Sequence, residues 1–182
     1  IVLGKLLENL VKIMVENSGA EKGYLIMEKK GKLYVENAIV SGHLLSNAST
    51  PIESVTALPA SVIQYIRRTK ESLIIDDAAL DIQFSNDPYV REKKPRSILC
   101  LPLANQGKLL GIVYLENNLM VGAFPKERLQ ILKIIASQAA ISIENAVLYE
   151  HLEEKVAERT KELNDSLRII KSDLITAKEI QY

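Results

Sequence analysis

Four carboxylates, Asp76, Asp77, Asp81 and Asp87, fall close together and are interleaved with Phe84, Tyr89 and Arg96. Acids at this density invite a cation. A calcium loop, however, needs alternating oxygen ligands, a glycine at the sharp turn and a carboxylate that closes the ring. The spacing here shows no such alternation, and the turn and cap roles of aspartate account for most of the stretch. The segment does have the make-up of a pocket wall, apolar and aromatic side chains with a few polar anchors. Asp76, Asp77, Phe84, Tyr89 and Arg96 form the candidate ligand-contacting set, with no metal expected.

The other reactive side chains are sparse. Cys100 is the single cysteine, which excludes an internal disulfide and any cysteine-clustered zinc or iron–sulfur site. The alternation of "SILCLPL" sets it inside a buried strand, where a thiol behaves as a small hydrophobe. His43 lies in a Ser/Asn-rich loop and His151 on a polar helix. No nucleophile stands beside a base in a recognisable local context, so no active site is expected in this chain. Glycines occur singly, without the clustered spacing that cradles phosphate.

The elements that must position these residues follow from periodicity. Leu3, Leu6, Leu7, Leu10, Val11 and Met14 recur at helical spacing, and Gly19 is suited to the left-handed cap that ends the helix. "GYLIMEK" and "KLYVENAIV" read as a hairpin turning at Gly31. Residues 41–57, rich in Ser, Asn and Thr and carrying Pro51, read as loop. Pro59 opens a helix with Val62, Ile63 and Ile66 inward, and "SLIID" is a short buried strand. Residues 76–96 are aperiodic, a long loop or short helix. "RSILCLPL" and "KLLGIVYLEN" pair through a turn at Gly107. From Pro125 onward there is no further Pro or Gly, so one helix is expected to the end. The order implies an α+β fold, an antiparallel sheet with helices gathered against one face.

Composition sets outer limits. Hydrophobic residues make up 47% of the 182, Trp is absent and Phe occurs twice, so the core is aliphatic. Charges balance at 23 against 23, which gives no electrostatic footprint for nucleic acid or an anionic membrane. Arg67, Arg68 and Lys70 are the densest basic cluster, on an exposed helix face. The longest apolar run, "ILKIIASQAAISIENAV", is interrupted by Lys133, Ser137, Gln138 and Glu144, so no membrane span is expected. The sequence reads as a cytoplasmic fragment of a longer protein.

The hairpin "RSILCLPLANQGKLLGIVYLENN", the "GAF" at Gly122 to Phe124 and the helix after it resemble the end of a GAF domain; "GAEKGYLIMEKKGKLYVEN" resembles its start. "DDAALDIQFSNDPYVREKKPRSILCLPL" is similar to the middle of GAF domains in large bacterial signalling proteins that combine kinase-like, ATPase, GAF and output regions. The resemblance implies a six-stranded antiparallel sheet, a ligand pocket on one face, and N- and C-terminal helices on the other that pair into a homodimer. It does not name a ligand. Cyclic-nucleotide members carry Asn-Lys, then Phe, then Asp-Glu; here Asn117 and Phe124 match, but Arg128 and Leu129 replace the acids. Bilin attachment needs an accessible cysteine, and haem an axial ligand on the pocket wall. Cyclic nucleotide, bilin and haem are all disfavoured, and the cofactor is unknown.

The closing helix carries a second pattern. Ile141, Asn145, Leu148 and Leu152 lie on one seam at alternating spacings of four and three, and Leu163, Leu167, Ile170, Leu174 and Ala177 resume it. Such a heptad marks a coiled coil. Val156 and Thr160 bridge the interval, a four-residue stutter that unwinds a left-handed supercoil. Like charges recur every four residues there (Glu154, Glu158 and Glu162; Lys155 and Arg159), so the helix needs a partner for stability. The division expected is a GAF sensory domain over 1–150 and a parallel coiled-coil signalling helix over 151–182. "SDLITAKEIQ" is similar to the opening helix of SpoIIE-type PP2C-like serine phosphatases. Histidine kinase or nucleotide cyclase outputs also follow such helices, although "HLEEKV" at His151 lacks the proline that follows a phospho-acceptor histidine. The function expected is regulatory: a signal, started by a ligand or a neighbouring domain, passes through the coil to an enzyme. The alternative is a ligand-free dimerisation spacer.

Overall fold

The computed structural model describes residues 2–181, so Ile1 and Tyr182, at the ends of the two segments drawn from the sequence, lie outside it. The chain divides into compact units between residues 144 and 145, six residues before the boundary read from the sequence. The first unit holds the sheet. Helix α1 (Val2–Ser18) leads into the strands β1 (Lys22–Lys29), β2 (Lys32–Val40) and β3 (His43–Pro51). A 3-10 turn (Ile52–Ser54), α2 (Ala60–Thr69), β4 (Leu73–Ile75) and α3 (Pro88–Lys93) follow. The hairpin β5 (Ser97–Asn105) and β6 (Lys108–Asn117) then precedes α4 (Lys126–Ile180). Described strands pair antiparallel in the order β3-β2-β1-β6-β5-β4, so the first hairpin meets the last at the centre of the sheet.

Strand β3 corrects the reading of 41–57 as loop. It is an edge strand whose His43, Leu45, Ser46 and Ala48 are exposed. A strand with so little to bury needs no apolar alternation, the signal by which strands are recognised. Charged, small or polar side chains also protect an edge from pairing further.

The sheet separates two apolar layers, because successive side chains of a strand point to opposite faces. On one face, Leu7, Leu10, Val11 and Met14 of α1 and Leu132, Ala136, Ala140 and Ile143 of α4 pack on Leu25, Leu101, Val113 and Leu115. Gly23 lets α1 lie this close: a Cβ there would stand 2.4 Å from the Val15 side chain. On the other face, Val62, Ile63 and Ile66 of α2, with Phe84 and Val90, pack on Ile26, Ile98, Cys100 and Ile112. Helices thus cover both faces, where the element order alone suggested one. The basic cluster at the end of α2 serves this packing, with Arg67 donating to the Gly31 carbonyl and Lys70 to the Gly107 carbonyl, each in a hairpin turn.

Helix α4 runs for 55 residues without Pro or Gly. By length and composition it includes a window apolar enough to cross a membrane, contrary to the sequence reading, and 33% of that window is buried. Leu132, Ala136, Ala139, Ala140 and Ile143 supply apolar character to α4 and pack in the core of the first unit. Within the second unit every described residue from His151 onward is exposed.

Candidate functional site

The five residues chosen as a pocket are not brought together. Phe84 is buried against the sheet and meets Tyr65 edge-on, ring centroids 5.7 Å apart. Asp76 and Asp77 instead line an open depression of about 510 Å³ with Ile74, Leu80, Asp81, Ile82 and Gln83. Arg96 is exposed and joins its neighbours through its backbone, accepting from Ala78 N and donating to Asn118 Oδ1. The aspartates fold the loop, as turn chemistry requires. Asp77 Oδ1 accepts from Ala79 N, and Asp81 Oδ1 accepts from Gln83 N and Phe84 N. Asp87 does more. Its Oδ1 accepts from Tyr89 N at the start of α3, and its Oδ2 accepts from the Ser61 amide and hydroxyl at the start of α2. Pro59, the N-cap of α2, has no side-chain acceptor, so one buried carboxylate closes the first turns of two helices.

Tyr89 points to a constellation that the sequence reading missed. Glu116 is fully buried, and its Oε1 accepts from Tyr89 Oη at 2.7 Å and Tyr114 Oη at 2.8 Å. Its Oε2 accepts from Asn118 Nδ2 at 2.8 Å and lies 3.3 Å from Lys22 Nζ. Tyr24 stands edge-on to Tyr114 at 6.2 Å. Strand register assembles the group: Tyr114 and Glu116 are two apart on β6 and so share a face, opposite Tyr24 and Lys22 of β1. Helix α3 brings in Tyr89. Burial, and after it the Glu116 charge, pushes the Tyr24, Tyr89 and Tyr114 hydroxyls above the ordinary tyrosine value. The neutral phenols of Tyr89 and Tyr114 donate their hydrogen bonds to the Glu116 carboxylate. Among the described residues no buried side-chain nitrogen or oxygen lacks a partner, and no three His, Cys, Asp or Glu side chains gather as a metal site. The signal available in the sequence was a glutamate inside the apolar run "LLGIVYLEN".

The positions compared with the cyclic-nucleotide motif knit the domain together. Asn117 Nδ2 donates to the Gly19 carbonyl, and its Oδ1 accepts from Leu119 N and Met120 N. Phe124 is core, and Arg128 donates to the Ser18 carbonyl at the end of α1. Cys100 is fully buried and its thiol is pushed up by burial, so it offers no attachment point.

Among the described residues, α4 takes part in two open apolar surfaces, one in each unit. Leu6, Asn9, Leu10, Ile13, Ile134, Ile135, Gln138, Ala139 and Ser142 line a groove of about 360 Å³ between α1 and α4 in the first unit. In the second unit the predicted seam residues Leu152, Val156, Leu163, Leu167, Ile170, Leu174 and Ala177 are all exposed, as is Leu148. Leu152, Val156, Thr160 and Leu163 share a surface groove with Lys155 and Arg159.

The chain resembles several known proteins. It is 51% identical over 89 residues to hybrid signal transduction histidine kinase G of Dictyostelium discoideum, a match covering 49% of this chain and 3% of that protein. It is 26% identical over 163 residues to histidine protein kinase 1 of Candida albicans, covering 84% of this chain and 6% of that protein. Among solved structures, the fold is similar to the GAF domain/HD domain protein from Geobacter sulfurreducens. There the TM-score is 0.62 at 11% identity, over 80% of this chain and 94% of that one. It is also similar to the GAF domain of a two-component sensor histidine kinase from Bacillus halodurans, with a TM-score of 0.57 at 17% identity, over 79% and 97% of the two chains. The model of the GAF domain family matches residues 3–143, the span that builds the sheet and its two covering layers, and the chain belongs to that family.

Proposed function

We propose that this chain is the regulatory GAF module of a larger signalling protein, that it acts as a homodimer, and that α4 carries its signal as a parallel coiled coil to a histidine kinase output. The observation that carries the reading is the exposed apolar seam of α4. Ile134, Ile141, Leu148, Leu152, Val156, Leu163, Leu167, Ile170 and Leu174 are each more than 40% exposed, at spacings of three, four and seven broken by one stutter. A second copy of the same helix is the surface that matches it residue for residue. Within the first unit, the groove beside Ile134 leaves apolar surface of α1 and α4 open to a second copy of that unit. A kinase output is preferred to the serine phosphatase suggested by Ser172–Gln181 because both curated relatives named above are histidine kinases. Those relatives also give no support to a bacterial origin.

The input is argued from the packed face of the sheet. Val62, Ile63, Ile66 and Tyr114 fill the space under α2, and Glu116 has its partners already. Phe84 lies within that packed layer, whereas Asp76 and Asp77 line an open depression and Arg96 is exposed, so Asp76, Asp77, Phe84 and Arg96 are not proposed as one set of contacts. The same saturation favours a second reading, a ligand-free dimerisation module. A thermal-shift screen against nucleotides and metabolites separates the two, since only a bound ligand raises the melting temperature.

Single cysteines test the coil. Cys100 is buried, so an introduced thiol is the accessible one. Leu167→Cys, on the seam, is expected to give a disulfide-linked dimer under mild oxidation, and Ser172→Cys, on the outer face, is expected to react far more slowly. Equal rates, or a monomer by sedimentation at micromolar concentration, refute the parallel dimer.

A further inference from the structure

Three of the most exposed large apolar side chains, Leu80, Ile82 and Leu119, belong to two loops, with two further exposed ones beside Leu119. Leu80 is 80% exposed and Ile82 98% in the loop after β4; Leu119 is 75%, with Met120 and Val121 also exposed, in the loop after β6. Hydrogen bonds join the loops. Gly122 N donates to the Asp76 carbonyl at 2.9 Å, and the Ser97 hydroxyl bridges the carbonyls of Asp76 and Met120. The geometry is fixed before any partner arrives. Asp77 and Asp81 close turns around Leu80 and Ile82, Phe84 anchors the loop in the core, and Asn117 Oδ1 holds Leu119 N and Met120 N.

Exposed apolar groups gathered on two loops that are hydrogen-bonded to one another mark an interaction surface more than single scattered ones do. Held rigidly, they also lose little entropy on binding. Their rim is acidic: Asp76, Asp77 and Asp81 line the depression shared by Leu80 and Ile82, and none of the three forms an ion pair among the described residues. Arg96, bonded through its backbone to Ala78 and Asn118, offsets one of these charges and leaves the rim net negative.

We infer that Leu80, Ile82 and Leu119–Val121 dock an amphipathic helix of a partner protein that carries Lys or Arg beside its apolar stripe. The apolar centre supplies affinity, and the acidic rim selects the basic partner and rejects acidic ones and anionic lipid. None of the five docking side chains belongs to α4, so the surface is distinct from the dimer proposed above.

The test is titration of the isotope-labelled 182-residue chain with three synthetic helical peptides, Leu/Lys, Leu/Glu and Ser/Lys. The expected result is that the Leu/Lys peptide alone shifts the amides of 76–84 and 118–122. Leu80→Ser with Ile82→Ser should weaken binding about tenfold or more, the loss typical of truncating interface anchors. Asp76→Asn should weaken it less and reduce its dependence on salt. Because Asp76 contributes only its backbone carbonyl to the fold, that variant is expected to keep the fold even where the double serine variant does not. Three outcomes overturn the inference: shifts confined to α1 and α4, equal binding of Leu/Glu, or binding to anionic vesicles in place of peptide.

Discussion

Removing the Glu116 carboxylate strips acceptors from Tyr89, Tyr114 and Asn118 and a counter-charge from Lys22 in one step. Glu116→Leu is expected to cost about 3–5 kcal/mol, because a broken buried pair leaves its remaining partners desolvated. Tyr89→Phe removes one hydrogen bond to a charged acceptor and should cost about 1.5–3 kcal/mol. Urea denaturation at constant m-value reads both, and a Glu116→Leu loss no larger than that of Tyr89→Phe would contradict the network. The three phenols also make a pH prediction. Their hydroxyls are raised in the folded state, so their contribution is fully present below the ordinary value of 10.0 and is lost as pH rises beyond it. Stability should fall as pH rises above that point, by at most about 1.4 kcal/mol per pH unit for each tyrosine that stays protonated in the fold. Tyr114→Phe, if it still folds, should show a shallower alkaline slope. A slope unchanged from the wild type counts against the raised hydroxyl.

At the scale of elements, the stutter in α4 takes on a sharper form. Leu152, Lys155, Val156 and Arg159 share one groove, and in the proposed coil their spacing fits the inward positions of an eleven-residue repeat rather than of a heptad. In the proposed parallel dimer, two lysines and two arginines then approach their copies across the seam. Lys155→Leu with Arg159→Leu removes that repulsion and adds apolar contact. Dimer dissociation is expected to tighten about tenfold or more for the pair, measured by sedimentation equilibrium. Weaker association would mean that the seam passes elsewhere. The long helix was legible because Pro and Gly are missing after Pro125, and the hairpins because Gly31 and Gly107 stand at turns with positive φ. Strand β3 was not, since an exposed edge leaves no period to read. Tertiary packing also decided which faces the helices cover.

For the whole molecule, the sequence carried the fold class through its core periodicity but not the placement of the candidate site residues. Phe84 and Tyr89 have the composition of a pocket wall, but composition does not tell a wall from a filling, and here both face inward. The functional group of widest reach, Glu116, sits mid-strand in an apolar run where local pattern assigns no role. Only the pairing of β6 with β1, together with the return of α3 over the sheet, makes it a centre.

Cys100, buried at the middle of β5, has one more consequence. A thiol with no exposure and a raised ionisation threshold reacts with a water-borne reagent only when the domain opens. Its modification rate is therefore a clock for opening, native to the chain and needing no label. A partner that binds only the closed form slows that clock by the factor 1 + [L]/Kd. The dimer, the docked helix and any small molecule can thus be ranked against one another by a single rate.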